Sequence, residues 1–265
     1  VSFNTGSHVD IPVIEGSRDR IYTVKPIERL YQARTEIEAL ASQQTVTVAV
    51  VGGGPAGVEA AGNVAQLLDR TSNPSRTILF AGRSLLKSFP QGIRDKSRRI
   101  LQKNGVAIQE QGHLIAIHDN RLSFDSGPEV KADFIILATG VHPSPFFREA
   151  GLQTGPDGGL LVNRFLQCPD YPEIFGGGDC ICYKEQPLDK VGVYAVRENP
   201  VLFHNLKAFL EGEPLQPFDP GGDYLLIFNL GNNQGVLRKN WFQMSGGLAF
   251  KVKDWIDRKF MKEFQ

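Results

Sequence analysis

The chain has 265 residues, 41% of them hydrophobic, with 29 basic against 29 acidic side chains. That length supports one large domain or two small ones, each with its own core, and the balanced charge excludes a general attraction to nucleic acid or to anionic surfaces. No run approaches the roughly 20 apolar residues of a spanning helix, and three cysteines make no disulfide framework, so a reducing, cytoplasmic setting is expected.

Val1-Ser2-Phe3 reads as the end of a strand closed by Asn4-Thr5-Gly6-Ser7, so the chain is expected to be a piece of a longer polypeptide. Ile11 to Gly16 is a polar, proline-extended loop. Pro26 opens a predicted helix with Ile27, Leu30, Tyr31, Ile37 and Leu40 at helical spacing, and Ser42-Gln43-Gln44 is a short linker. Thr47 to Val51 is an apolar strand that runs straight into Gly52-x-Gly54-x-x-Gly57 and then into a helix ending near Arg70. A dinucleotide pyrophosphate needs that geometry. Gly52 turns the chain off the strand, Gly54 lets the backbone approach the phosphates, and Gly57 lets the helix pack on the sheet. The first helical N–H groups, lacking intrahelical partners, then face the anion with the positive end of the helix dipole. A glycine-rich turn that binds nothing is the plain alternative.

Thr77 to Ala81 is a second strand, Ile93 to Asn104 a helix with Ile100 and Leu101 inward, and Val106 to Gln109 a third strand. His113 to Asp125 reads as a hairpin turning at Asp119-Asn120, and Asp133 to Ala138 as a buried strand ending in Thr139-Gly140. This βαβαβ order with an added hairpin predicts an α/β, Rossmann-like unit, a parallel sheet flanked by helices. Thr5-Gly6 and Thr139-Gly140 each end an apolar strand before an extended, proline-containing segment, a faint internal repeat. An acidic residue about 20 positions after the glycines would take the ribose 2′-hydroxyl. Here the second strand runs into Ala81-Gly82-Arg83 instead. Arg83 could meet a 2′-phosphate, which leans the site toward NADP over NAD, against the alternative of a solvated loop arginine.

Tyr171 to Cys180 delivers Gly176-Gly177-Gly178-Asp179-Cys180 at the end of another strand. A carboxylate on open backbone suits a sugar or ribityl hydroxyl, and a helix-capping Asp at a strand-end turn suits the same residues.

Together, Thr5-Gly6-Ser7, Gly52 to Glu59, Ala138-Thr139-Gly140 and Gly176 to Cys180 resemble the pyridine nucleotide-disulfide oxidoreductase family of two-dinucleotide-binding-domain flavoproteins, over essentially the whole chain. Gly192 to Asn199, Asn205-Leu206 and the tail Lys253 to Met261 resemble its type II NADH dehydrogenase-like branch, near members found alone or fused ahead of selenophosphate synthetase. The resemblance implies an NAD(P)-binding domain, 45–142, inserted into a partial FAD-binding domain. Residues 1–44 would be the end of that domain's first half and a linker helix, 143–215 its second part, and 216–265 a short C-terminal α+β segment. It implies that Gly52, Gly53, Gly54, Pro55, Ala56, Gly57, Glu59, Ala81, Arg83, Thr139 and Gly140 hold NAD(P). Thr5, Gly6, Gly178, Asp179, Tyr194, Ala195 and Val196 would hold FAD. The activity implied is hydride transfer from NAD(P)H to flavin and then to an acceptor such as a quinone. No side-chain acid is obligatory in such chemistry. Glu59 and Glu198 are the catalytic candidates, Glu198 as a proton relay, with an exposed helical glutamate as its plain alternative. The FAD domain's own GxGxxG is absent, so the chain alone is expected to bind FAD weakly or not at all and to be inactive.

Cys180-Ile181-Cys182, with Cys168 upstream, leaves open a sulfide- or disulfide-type flavoprotein, against small side chains packing near a cofactor. A third reading is a non-catalytic nucleotide-binding module that partners selenophosphate synthetase. The histidines show no metal spacing with the cysteines, so no metal is expected. Leu248 to Phe264 reads as an amphipathic, mildly basic helix with Phe250, Trp255, Ile256, Phe260 and Phe264 among its lysines and arginines. Packing on the protein or on a dimer mate is preferred there to a position on the inner face of a membrane.

Overall fold

A strand that is apolar on both faces must be covered on both, and Thr47–Val51 shows it: Val48, Ala49 and Val50 are all completely buried. The computed structural model describes residues 1–110 and 112–262. Its elements begin with β1 (Ser2–Phe3), β2 (Ser7–His8), β3 (Val13–Glu15), β4 (Ile21–Thr23) and α1 (Ile27–Ala41). Next come β5 (Thr47–Val51), α2 (Pro55–Leu68), β6 (Arg76–Phe80), α3 (Gln91–Lys103) and β7 (Val106–Gln109). β8 (Leu114–His118), β9 (Arg121–Phe124), β10 (Val130–Lys131) and β11 (Phe134–Leu137) follow. Then come β12 (His142–Pro143), α4 (Phe146–Glu149), β13 (Leu160–Val162), β14 (Phe175–Gly176), β15 (Ile181–Tyr183) and α5 (Gly192–Glu211). β16 (Leu226–Asn229), β17 (Gly235–Lys239), β18 (Phe242–Gly246) and α6 (Gly247–Lys262) close the described chain.

The chain divides into two compact units, one of residues 1–10 and 141–224, the other of 11–140 and 225–265. The second unit is a Rossmann-like α/β fold. Its five strands run in the order β4-β11-β5-β6-β7, every pairing parallel. From β5 the chain goes through α2 and α3 to one side, and β11 lies on the other. The carboxyl ends of β5 and β11 therefore flank a topological switch point, where open α/β sheets bind ligands. The expected hairpin is β8–β9, turning on Asp119 and Asn120 with φ of 44° and 62°. β16, β17 and β18 form an antiparallel meander that packs with α6 and with α2 and α3.

The first unit is built around Phe147, Leu160, Leu166, Phe175, Cys180 and Leu202. β1 pairs in parallel with β14, β13 in parallel with β15, and β2 antiparallel with β12.

Several expectations need correction. The stripe on α1 is Ala33, Ile37 and Ala41, whereas Ile27 and Tyr31 are 67% and 73% exposed. α1 lies against β4 and α2, and two alanines let it approach closely. The segment read as a polar loop contains β3, which pairs in parallel with β8, and β4, unpredicted, is the edge strand beside β11. Ile100 is only half-buried; Ile93, Ser97 and Leu101 form the inner face of α3. By contact, residues 11–44 go with 45–140 and are joined by 225–265, while 216–224 go with the first unit. α6 packs on β16, β17 and β18, with Ala249 buried and Phe250 and Ile256 of the expected stripe half-buried, while Trp255 and Phe260 are 65% and 38% exposed; Phe264 lies outside the described residues. Among the described residues no helix is long and apolar enough to cross a membrane.

Candidate functional site

The glycines after β5 separate into two kinds. A Cβ at Gly52, whose φ is 137°, would lie 2.0 Å from the Ala138 carbonyl oxygen. At Gly53 it would lie 2.4 Å from the Ala81 carbonyl oxygen, and at Gly57 1.8 Å from that of Gly52. These three are demanded by the chain's own backbone. Gly54 is not: its φ is −84° and an added Cβ meets nothing within 4 Å. Open space lies in front of Gly54, and α2 starts there with Pro55 at its first position, followed by Ala56. The leading N–H groups of a helix have no intrahelical acceptors, so such an end suits a pyrophosphate. Thr139 and Gly140, both exposed, follow β11 beside this loop.

Ala81 and Arg83 follow β6 on the same edge. Leu86 N–H donates to the Gly53 carbonyl at 2.7 Å, which ties residues 81–86 to the glycine loop. The Arg83 side chain is 76% exposed and lies 3.4 Å from Asp125, a partner sequence reading did not identify. Glu59, half-buried on α2, accepts the Asn229 N–H at 2.8 Å. Burial pushes its carboxyl above the usual range, and the Asn229 bond and Lys253 offset this in part. Asn229 lies at the end of β16, so this carboxylate also joins the nucleotide-side helix to the C-terminal meander.

In the other unit Ser7 Oγ donates to Asp179 at 2.9 Å, bringing the Thr5-Gly6-Ser7 turn onto the Gly178-Asp179 turn. Ser7 was legible in the motif but not singled out. A cavity of about 410 Å³ is lined there by Gly178, Asp179, Cys182, Lys190, Tyr194, Ala195 and Glu198 among others. Val196 is 49% exposed and does not line it. Glu198 is not an exposed helical glutamate. It is 2% exposed and accepts the Gly178 N–H. Burial pushes its carboxyl above the usual range; the Gly178 bond and Lys190 oppose that, and Asp179 adds to it. Positive φ at Gly178 (74°) and an open approach to Asp179 make a surface that suits a polyol chain.

Cys168 and Cys180 are packed in the interior, whereas Cys182 is half-buried on the cavity wall. Cys168 and Cys180 are 1% and 0% exposed, and the Cys180 thiol donates to the carbonyls of Gly177 and Phe3 at 3.2 and 3.4 Å. Burial and Asp157 push the Cys182 thiol up. A thiol held protonated is a poor nucleophile. Asp157 is itself ion-paired with Lys190 at 2.7 Å.

Residues 3–204 match the model of the pyridine nucleotide-disulphide oxidoreductase family. The chain belongs to that family. Over 259 residues it is 27% identical to demethylphylloquinone reductase NdbB of Synechocystis, covering 94% of this chain and 63% of that protein. Over 144 residues it is 31% identical to the mitochondrial internal alternative NAD(P)H-ubiquinone oxidoreductase A1 of Arabidopsis thaliana, covering 51% of this chain and 28% of that protein. Among solved structures, NDH2 from Plasmodium falciparum in complex with NADH superposes with a TM-score of 0.78 at 14% identity, covering 96% of this chain and 72% of that one. That likeness shows the shared fold. This family member spans only part of the length of the two relatives it matches in sequence.

Proposed function

We propose that this family member serves an FAD-dependent NAD(P)H oxidoreductase whose acceptor is a quinone. The observation that carries the reading is Gly54. The chain's own packing does not require glycine there, while open space and a helix start meet at that residue. Gly52, Gly53, Gly57 and α2 would hold the nucleotide pyrophosphate, with Thr139 and Gly140 lining the same end of the sheet. Gly178 and Asp179, oriented by Ser7, would hold the flavin ribityl chain, with Tyr194 and Ala195 on the same cavity wall. When bound, the pair supplies hydride transfer from the nicotinamide to the flavin, which then passes electrons on. Glu198 would keep the Gly178-Asp179 turn in place and hold a proton at its carboxyl. The names of relatives that reduce ubiquinone and demethylphylloquinone support the acceptor class. Without a second GxGxxG in the sequence, flavin affinity of this chain alone is expected to be low.

Calorimetric titration with NADH and NADPH tests the reading. Gly54→Ala should weaken nucleotide binding by about tenfold or more, because a methyl group blocks close approach of the phosphates. Its melting temperature should fall only slightly, since that methyl meets no protein atom and alanine is only a poorer helix N-cap than glycine. Unchanged affinity in this variant would remove the reading.

A further inference from the structure

The edge of the nucleotide site is strongly net positive. Residues 82–99 hold six cations and one acid, Asp95, in a chain whose charges balance. The loop after β6 belongs to this segment and lies directly against Gly53. In a site that selects NAD, a carboxylate at this strand end takes the ribose 2′-hydroxyl. Ala81 supplies none.

Two acids come near the loop, and both are engaged. Glu110 accepts the Leu85 N–H at 2.6 Å and Arg98 at 2.9 and 3.0 Å. Burial disfavours its charge, but Arg98 and the Leu85 bond outweigh that and hold its carboxyl below the usual range. Asp125 accepts the His113 N–H at 2.9 Å and faces Arg83 at 3.4 Å. The His113 bond, followed by Arg83, keeps it ionised. Ser84 completes the loop, its hydroxyl fixed by Arg94, which also donates to the Leu85 carbonyl at 3.0 Å.

We propose that this loop selects the 2′-phosphorylated dinucleotide, NADP(H), with Arg83 as the phosphate ligand and Asp125 as a built-in competitor that sets how available Arg83 is. The proposal rests on the nucleotide site described under Proposed function and adds its specificity. An exposed ion pair is weak and screened by salt, so Arg83 is easily drawn from Asp125 to a dianion. A guanidinium binds phosphate in a two-pronged, charge-assisted way, whereas Arg83 meets Asp125 through one nitrogen at 3.4 Å. A 2′-hydroxyl offers Arg83 nothing comparable, and among the described residues no uncommitted carboxylate at this loop would receive it.

Isothermal titration of the chain with NADPH, NADH, 2′,5′-ADP and 5′-AMP, at low and high salt, tests the proposal. NADPH should bind about tenfold or more tighter than NADH, 2′,5′-ADP tighter than 5′-AMP, and both preferences should shrink as salt rises. Arg83→Ala should lower NADPH affinity by roughly tenfold to a hundredfold and leave NADH within about twofold. Asp125→Asn should raise NADPH affinity about threefold or more with NADH unchanged. Arg83 and Asp125 are surface residues, so melting temperatures should confirm that both variants fold. NADH binding as tightly as NADPH, or an Arg83→Ala variant with an unchanged ratio, would overturn the proposal while leaving the nucleotide site standing. A drop in NADPH affinity on Asp125→Asn would overturn the competitor role, showing that Asp125 orients Arg83 instead. Binding of none of the four compounds would overturn the proposal together with the reading beneath it.

Discussion

Single residues show how one motif serves two purposes. Gly57 and Gly52 are required by the fold, because an added Cβ would come within 1.8 Å and 2.0 Å of carbonyl oxygens. Gly57→Ala is predicted to cost about 1–3 kcal/mol through overpacking, measured by urea unfolding; a stability equal to the parent's would contradict the packing described. Glu198 makes a second prediction. Its folded carboxyl binds a proton more tightly than an unfolded chain's would. That contribution is fully present below the ordinary glutamate pKa and is lost as pH rises through the raised value. Glu198→Gln keeps an acceptor for the Gly178 N–H and removes the titration. Relative to this variant, the parent should lose melting temperature between acidic and neutral pH. Parallel melting curves would show that Glu198 does not titrate this way. The sequence offered Glu198 only as a candidate and left its burial undecided, because exposure depends on what packs over a helix.

At the level of elements, periodicity found α1, α3 and α6, but not the short α4, and it misassigned part of the contact faces of α1 and α3. On α1 the large side chains suggested Ile27 and Tyr31, but the face that packs holds Ala33, Ile37 and Ala41. Ile37→Ala is predicted to cost about 2–4 kcal/mol through loss of burial and a residual cavity. Tyr31→Ala should stay within about 0.5 kcal/mol. Chemical denaturation of both variants checks the assignment, and comparable losses would mean that Tyr31 also packs. β3 and β4, three residues each, are too short to show alternation and exist through pairing with distant β8 and β11. The parallel strands β5, β6 and β11 were legible because burial on both faces leaves a continuous apolar run.

For the whole molecule, the division into two units predicts where ligands act. A nucleotide present at a hundred times its Kd stabilises the state it binds by about 2.7 kcal/mol. With NAD(P)H, hydrogen exchange should slow within 11–140, centred on 52–57 and 81–86, and much less in 141–224. Protection centred on 178–198 would reassign the nucleotide site. By contact the first unit is discontinuous, made of residues 1–10 and 141–224. The sequence did not show that 225–265 pack with the nucleotide-binding unit. Asn104 Nδ2 donates to the Leu230 carbonyl at 2.9 Å and the Glu59 carboxylate accepts the Asn229 N–H, contacts across more than a hundred residues.

By itself the sequence determined the strand–glycine–helix unit and the hairpin, because each rests on local rules: a steric demand for glycine, a periodicity, a turn. Only the tertiary structure decided which glycine the fold can spare, that Glu198 is buried, that Arg83 faces Asp125, and where the C-terminal meander docks. Those facts depend on side chains from distant segments meeting in a closely packed interior or at a shared surface, and sequence spacing carries no record of such meetings.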